Sequence, residues 1–242
     1  MPLTLDRQNA YRARYAELRP GWLPATTVYE TLIRTAIGSA VGTGGAALLD
    51  LGCGRGGVLE QLVDVPGLHA TGIDPDFASL AEHRLPDLPR AVAGAEAIPL
   101  AAACCDMVIS AWVLEHLPDP ARTFSEVARV LRPGGLFIAL APNRDSPVAL
   151  LNRVLKPLQN ALVPRLYGRA EADTFPVLYR ANTRSQVDDL CHASGLTLAA
   201  WHAIDDPTYL AFNPALFHLS VLLTRLLPAS MAVHGIAVCR KP

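Results

Sequence analysis

Cysteine is scarce in this chain: Cys53, Cys104, Cys105, Cys191 and Cys239 form an odd, scattered set with no C-x-x-C pair. That pattern argues against a disulfide framework or a zinc site and fits reduced thiols in a cytoplasmic protein. A surplus of one charge is missing too, with 21 Lys and Arg against 22 Asp and Glu. Nucleic-acid-binding domains carry a basic excess, so the balance argues against nucleic acid as a partner. Long apolar runs are also absent. The longest nearly uncharged tract, 214–227, is interrupted by Ser220, Thr224 and Arg225. It falls short of the ~20 residues a helix needs to cross the hydrocarbon layer. The first twenty-two residues are polar and charged, so no secretory signal is expected. Internal repeats and low-complexity blocks are lacking.

What is present is a chain of 242 residues, 51% hydrophobic and 18% charged, enough to bury a core without staples. Short apolar segments with strand character occur at 46–51, 69–73, 90–93, 106–110 and 136–141. Between them, 57–65, 77–85 and 121–131 carry apolar residues at helical spacing. Strands alternating with helices in this way imply a doubly wound α/β domain with a parallel sheet covered on both faces. Residues 5–20 and 28–37 read as helices of an N-terminal arm, placing an arm at 1–45 and the main domain at 46–242. After Pro142 the rhythm breaks: Pro147, Pro157, Pro164 and Pro176 mark an insertion. Residues 183–194 return to an amphipathic helix with Gly195 as its stop. Residues 196–203 and 235–239 read as closing strands. The stretches 142–182 and 205–232 are expected to form a helical cap.

The chemistry is concentrated at the end of the first strand. Asp50-Leu51-Gly52-Cys53-Gly54-Arg55-Gly56-Gly57 turns an apolar strand through glycines, which let main chain pass close beneath a ligand. Asp74 closes the second strand in Gly72-Ile73-Asp74-Pro75, where an acidic group accepts hydrogen bonds from ribose hydroxyls in doubly wound nucleotide sites. Capping the helix that begins near Asp76 is a second role open to it. Read at 52, 54 and 57, the loop also satisfies the G-x-G-x-x-G of dinucleotide-dependent oxidoreductases, so the loop alone does not decide the cofactor.

Further motifs do. A-E-A-I-P-L at 95–100, C-D-M-V-I-S at 105–110, V-L-E-H-L at 113–117 and L-R-P-G-G at 131–135 follow in order. Together with the loop and G-I-D-P, this arrangement resembles the class I S-adenosylmethionine-dependent methyltransferases. The resemblance implies a Rossmann-like seven-stranded methyltransferase sheet in the order 3-2-1-4-5-7-6, with the last strand antiparallel and a helical cap. It implies S-adenosyl-L-methionine as methyl donor and S-adenosyl-L-homocysteine as product. Asp50 would sit beneath the methionine amino end, with Gly52, Cys53 and Gly54 as the floor under methionine and ribose. Asp74 would hold the ribose hydroxyls. Pro75 would flank adenine, Ala95 and Glu96 would border its other face, and Ser110, Ala111 and Trp112 would line the methyl end. Relatives often carry an aspartate just before the A-E pair; here that position is Gly94, so either Glu96 replaces it or the adenine amino group is left to main chain or water.

His116 is the candidate general base, since an imidazole pKa of about 6.5 suits deprotonation of a hydroxyl. Packing or capping after the fourth strand is its other reading. Ubiquinone-type O-methyltransferases complete a metal site with an acidic residue three positions before the E-H pair. Trp112 stands there, so no catalytic metal is expected. Tyr11, Tyr15 and Arg19 are candidates for a lid over the cofactor. Residues 148–167 form a basic amphipathic segment. Leu150, Leu158, Leu162 and Leu166 lie on one side, with Arg153, Lys156 and Arg165 at its edge. Such a segment suits either a lid packed on the core or peripheral contact with an anionic membrane. The expected reaction is methylation of a small, hydrophobic or amphipathic acceptor, O-methylation ahead of N or C. A non-catalytic S-adenosylmethionine-binding protein is the alternative, and a dinucleotide-dependent oxidoreductase a more distant one.

Overall fold

The computed structural model describes residues 3–41, 45–155 and 176–242. Among them, seven strands form one sheet: β1 (Ala46–Leu51), β2 (Leu68–Asp74), β3 (Arg90–Val92), β4 (Cys105–Ala111), β5 (Leu131–Pro142), β6 (Thr197–Ile204) and β7 (His234–Arg240). The order is β3-β2-β1-β4-β5-β7-β6. Strands β1 to β5 pair in parallel, while β7 runs antiparallel to both β5 and β6. This is the expected order, with the expected reversal of the last strand.

The helices are α1 (Leu5–Leu18), α2 (Ala25–Val41), α3 (Phe77–Ala81), α4 (Pro120–Val130), α5 (Pro147–Leu155), α6 (Arg184–Ser194) and α7 (Pro214–Leu226). Strands buried on both faces need apolar residues at nearly every position, and β1 and β4 have them. On one face, Tyr29, Ile33 and Ile37 of α2 recur every fourth residue and bury against Leu48, Met107, Ile109 and Leu140. Each such side chain withdrawn from water contributes roughly 1.5–3 kcal/mol. On the other face, Phe124 and Val127 of α4 join Val187 and Cys191 of α6 over Leu49, Val108 and Phe137. Asp119 caps α4 by accepting the Arg122 N–H at 3.1 Å, and Pro120 supplies its first turn. Gly195, at φ 75°, ends α6 in the left-handed conformation.

Three local expectations are corrected. Residues 57–65 form only a single 3-10 turn, Val58–Gln61. The segment is pinned between Gly56-Gly57 and Pro66-Gly67, too short to offset the cost of nucleating a helix. The helix expected over 77–85 stops at Ala81. Leu85 precedes Pro86, which disfavours helical backbone, and its N–H is taken by His83 Nδ1 at 3.0 Å. Finally, the Arg132–Gly135 turn does not precede β5 but interrupts it. Leu131 pairs with Cys105 and Leu136 with Met107, so the intervening residues bulge from one strand. Gly134, at φ 81°, makes that excursion and donates its N–H to Lys241 O at 2.9 Å.

Of the basic amphipathic segment 148–167, only α5 is described; Lys156, Leu158, Leu162, Arg165 and Leu166 lie outside the described residues. Among the described residues no helix is long and apolar enough to cross a membrane.

Candidate active site

Strand order reverses beside β1, which pairs with β2 on one side and β4 on the other. In open α/β sheets a crevice forms there, beyond the carboxyl ends of the strands. The glycine loop occupies it. Gly52, Gly54 and Gly56 all have positive φ (78°, 49° and 118°). A Cβ on Gly52 would come within 2.3 Å of Val113 Cγ2, so glycine is also required by the close approach of the segment after β4.

Asp74 ties the two motifs together. Its Oδ2 accepts the Gly54 N–H at 2.9 Å and its Oδ1 accepts the Asp76 N–H at 2.8 Å. It is not the cap of α3. Asp76 fills that role, accepting from the N–H groups of Ala78 and Ser79. Each Asp74 oxygen accepts one bond and retains acceptor capacity toward the crevice. Asp50, at the end of β1, is buried, and among the described residues no donor pairs with its carboxylate. Burial, with Asp74 nearby, pushes its pKa up to about 7.

Cys53 lies in the loop as expected, but its thiol points under β2. Its Sγ sits 2.6 Å from where a Cβ on Gly72 would be, so only a glycine at 72 admits it. Burial pushes the thiol up to about 12, leaving it inert, and what Cys53 offers the crevice is main chain. Pro75 is exposed beside Asp74. Ala95 is buried. The Glu96 carboxylate folds back over Gly94, its Oε2 only 3.1 Å from a Cβ built there, while its Oε1 is buried without a partner among the described residues.

Ser110 and Ala111 end β4, with the Ser110 hydroxyl fully buried and unpartnered among the described residues. Trp112 follows at φ 61°, a left-handed conformation that costs an L-residue roughly 1–2 kcal/mol. The turn is held by its N–H, which donates to Leu140 O at 2.9 Å. The indole remains 36% exposed, so it is a wall rather than core.

His116 lies in the 3-10 turn Leu114–His116 and does not cap α4. Its Nδ1 lies 3.0 Å from Pro176 O, and a carbonyl there accepts only from Nδ1–H. In the neutral ring Nε2 is therefore the basic nitrogen. Glu115 Oε1 is 3.8 Å from that Nε2. Glu115 is buried, which pushes its carboxyl up to about 7, and its Oε2 has no partner among the described residues. Its main-chain oxygen accepts from Leu178 and Tyr179, so this turn also docks the segment after 176. Among the described residues no group of three or more His, Cys, Asp or Glu converges as a metal set.

The proposed lid residues are packed. Tyr15 is buried with Ala211, Phe217 and Val221. Tyr11 stacks on Phe217 at 4.7 Å, and Arg19 pairs with Asp205 at 3.1 Å. They fasten α1 to the segment between β6 and β7.

Sequence reading missed Glu115 as a buried carboxyl, and it missed Tyr209 and His234. Tyr209 and His234 stand 25 residues apart and meet at 3.1 Å, Tyr209 Oη to His234 Nε2. Periodicity carries no signal for such a pair, because the contact depends on β7 entering the sheet antiparallel.

With this geometry in place, comparison with known proteins identifies the family. A family model described as a methyltransferase domain matches residues 49–139. A ubiquinone biosynthesis O-methyltransferase of Sodalis glossinidius is 30% identical over 174 residues, covering 68% of this chain and 68% of that one. A Mycolicibacterium smegmatis protein named as an S-adenosylmethionine-dependent methyltransferase is 38% identical over 102 residues, covering 41% of this chain and 39% of its own length. The geranyl diphosphate C-methyltransferase of Streptomyces coelicolor, solved with S-adenosyl-L-homocysteine, shares the fold at a TM-score of 0.59. It is 14% identical and covers 88% of this chain and 79% of that one. The chain belongs to the class I S-adenosylmethionine-dependent methyltransferases. It spans less than two thirds of the length of some curated relatives, 39% of the mycolicibacterial protein and 66% of the Aromatoleum aromaticum ubiquinone O-methyltransferase.

Proposed function

We propose that this chain transfers a methyl group from S-adenosylmethionine to an oxygen of a small, hydrophobic or amphipathic acceptor. The observation that carries the reading is the pairing of Asp74 with Gly54 N–H beside a buried Asp50 that lacks a partner among the described residues. A buried carboxyl without a donor suits the ammonium of a methionine moiety. A glycine loop bonded to a carboxylate suits the ribose next to it. The cofactor supplies an electrophilic methyl on a sulfonium sulfur.

The chain's residues bind and orient. Asp50 takes the ammonium, Gly52, Cys53 and Gly54 form the floor with main chain, and Asp74 accepts from the ribose hydroxyls. Pro75 and Ala95 flank adenine. Glu96, lying over the space left by Gly94, accepts from the adenine amino group in place of an aspartate at that position. Ser110, Ala111 and Trp112 border the methyl end. His116, its tautomer set by Pro176 O, takes the acceptor's proton on Nε2 as the oxygen attacks. In-line positioning supplies much of the remaining rate. Trp112 stands where a third ligand would be needed, so Glu115 and His116 alone do not fit a catalytic metal.

Oxygen is favoured because O-methyltransferases are among the relatives. An apolar acceptor is favoured by exposed Leu150 and Leu151 of α5 and Leu216, Leu219 and Leu222 of α7. With Arg153 these side chains also support peripheral contact of 148–167 with anionic lipid, which liposome flotation tests. Balanced charge speaks for a small molecule over nucleic acid. The direct test incubates the protein and S-adenosylmethionine with a small-molecule extract of a bacterial lysate. Mass spectrometry should find a compound that gains the mass of one methylene. Cofactor binding with no such product would leave a binding protein without turnover.

A further inference from the structure

His234 opens β7, where the ladder sets it opposite Pro142 at the end of β5 and Ile204 at the end of β6. Because β7 is antiparallel, its first residue stands at the same edge as the carboxyl ends of β4 and β5. The ring is 4% exposed. It lies edge-on to Trp112, centroids 5.2 Å apart and planes at 75°, and is flanked by Tyr209 at 5.4 Å. Tyr209 Oη is 3.1 Å from Nε2, and Nδ1 is buried with no partner among the described residues.

The ring is neutral at physiological pH, since burial pushes its pKa down to about 4. A neutral imidazole has one donor and one acceptor nitrogen. The 3.1 Å contact itself fits either direction; with the phenol O–H donating to Nε2, the proton sits on Nδ1 as a buried N–H with nothing among the described residues to receive it. Groups of this kind are rare in folded proteins and call for an occupant. The nearby carboxylate does not serve. Asp206 is committed to Arg12 at 3.0 Å and to the Thr208 N–H at 3.0 Å. The surroundings suit an organic molecule, with the half-exposed indole of Trp112 on one side. Leu210 and Val233, the chain neighbours of Tyr209 and His234, line an apolar cleft together with Val148 and Met231, although neither ring lines it.

We propose that His234 Nδ1–H is the hydrogen-bond donor that holds an oxygen of the methyl acceptor against Trp112, with Tyr209 fixing the tautomer that makes this nitrogen a donor. This rests on the methyltransferase reading and deepens it by assigning the acceptor's polar anchor. His234 is then a specificity-determining residue that touches substrate, and Tyr209 is a positioning residue that acts through it.

The test uses the full chain saturated with S-adenosylhomocysteine and two probes that differ by one oxygen, 4-propylphenol and propylbenzene, titrated by NMR. The wild type should prefer the phenol by about tenfold, the ratio expected of one net hydrogen bond. His234→Asn, whose amide nitrogen stands near the Nδ1 position, should keep most of that preference. His234→Gln, whose amide reaches instead toward Nε2, should lose it, as should His234→Phe. Tyr209→Phe should reduce it. The Asn-against-Gln contrast remains readable even if the phenylalanine variant fails to fold. A purely structural histidine would show equal preferences in the Asn and Gln variants, and that result overturns the proposal. So does a wild type that binds both probes alike, or binds neither. Failure to bind S-adenosylhomocysteine would instead strike the methyltransferase reading, so the two failures are told apart.

Discussion

On the β1–β2 side of the crevice, the residues that shape the site are neighbours in the chain. Asp50 to Gly56 form one turn, and Asp74 locks it through a single bond to Gly54 N–H. On the β5–β7 side, Trp112 follows β4, while Tyr209 and His234 come from far later in the chain, on either side of α7, and the three meet through ring contacts. The first half is main chain held by short-range geometry, suited to a ligand that never changes. The second is side chains on separate elements, where substitution can alter the acceptor without disturbing the donor. Damage on one side should therefore leave the other side's ligand bound.

The largest expected effect tests the acceptor half. His116→Ala should lower the methylation rate by about 10²–10⁴, the usual worth of a general base, with S-adenosylhomocysteine affinity nearly unchanged. Steady-state rates on the identified acceptor, set beside calorimetry, check this. A loss below threefold would leave His116 with only its docking role at Pro176. Next comes the frame of that half. A Cβ on Gly235 would fall 2.2 Å from Trp201 Cζ2, so Gly235→Ala must displace the indole between β6 and β7. Overpacking of this kind costs about 1–3 kcal/mol, which thermal unfolding would show as a lower Tm.

The smallest effect is electrostatic and belongs to the donor half. Asp50, with its pKa pushed up to about 7 in the free protein, must ionise to pair with an ammonium. Binding of S-adenosylhomocysteine should therefore release a proton below pH ~7, strengthen by up to about tenfold per pH unit toward neutrality, and level off above it. The free protein behaves in the opposite sense. A carboxyl raised from 3.8 to about 7 contributes its full stability below 3.8 and loses it as pH rises through 7. Calorimetry in buffers of different ionisation enthalpy checks the proton release, which Asp50→Asn should abolish.

The same division explains what the sequence made legible. Sheet order, Asp74 and the glycine loop could be read because local pattern and motif order agree there. The helix expected at 57–65 failed because apolar spacing ignores the glycine and proline boundaries on both sides. The cap role that the sequence left open for Asp74 belongs to Asp76, two residues on, whose side chain takes the α3 N–H groups. Glu96 was one of two options for the adenine amino group, and the fold of its side chain over Gly94 is a placement that no sequence pattern indicates. Tyr209 and His234 left no trace in the sequence, since their meeting depends on strand direction at the far edge of the sheet.

The most direct test of the account is calorimetric binding of S-adenosylhomocysteine to the wild type, Asp74→Ala and His234→Asn, side by side. Wild type should bind in the micromolar range. Asp74→Ala should lose about 1.5–3 kcal/mol as hydrogen bonds to a charged acceptor disappear, while His234→Asn should match wild type. Unchanged affinity in Asp74→Ala, or an equal loss in both variants, would contradict the assignment of the donor to the β1–β2 side.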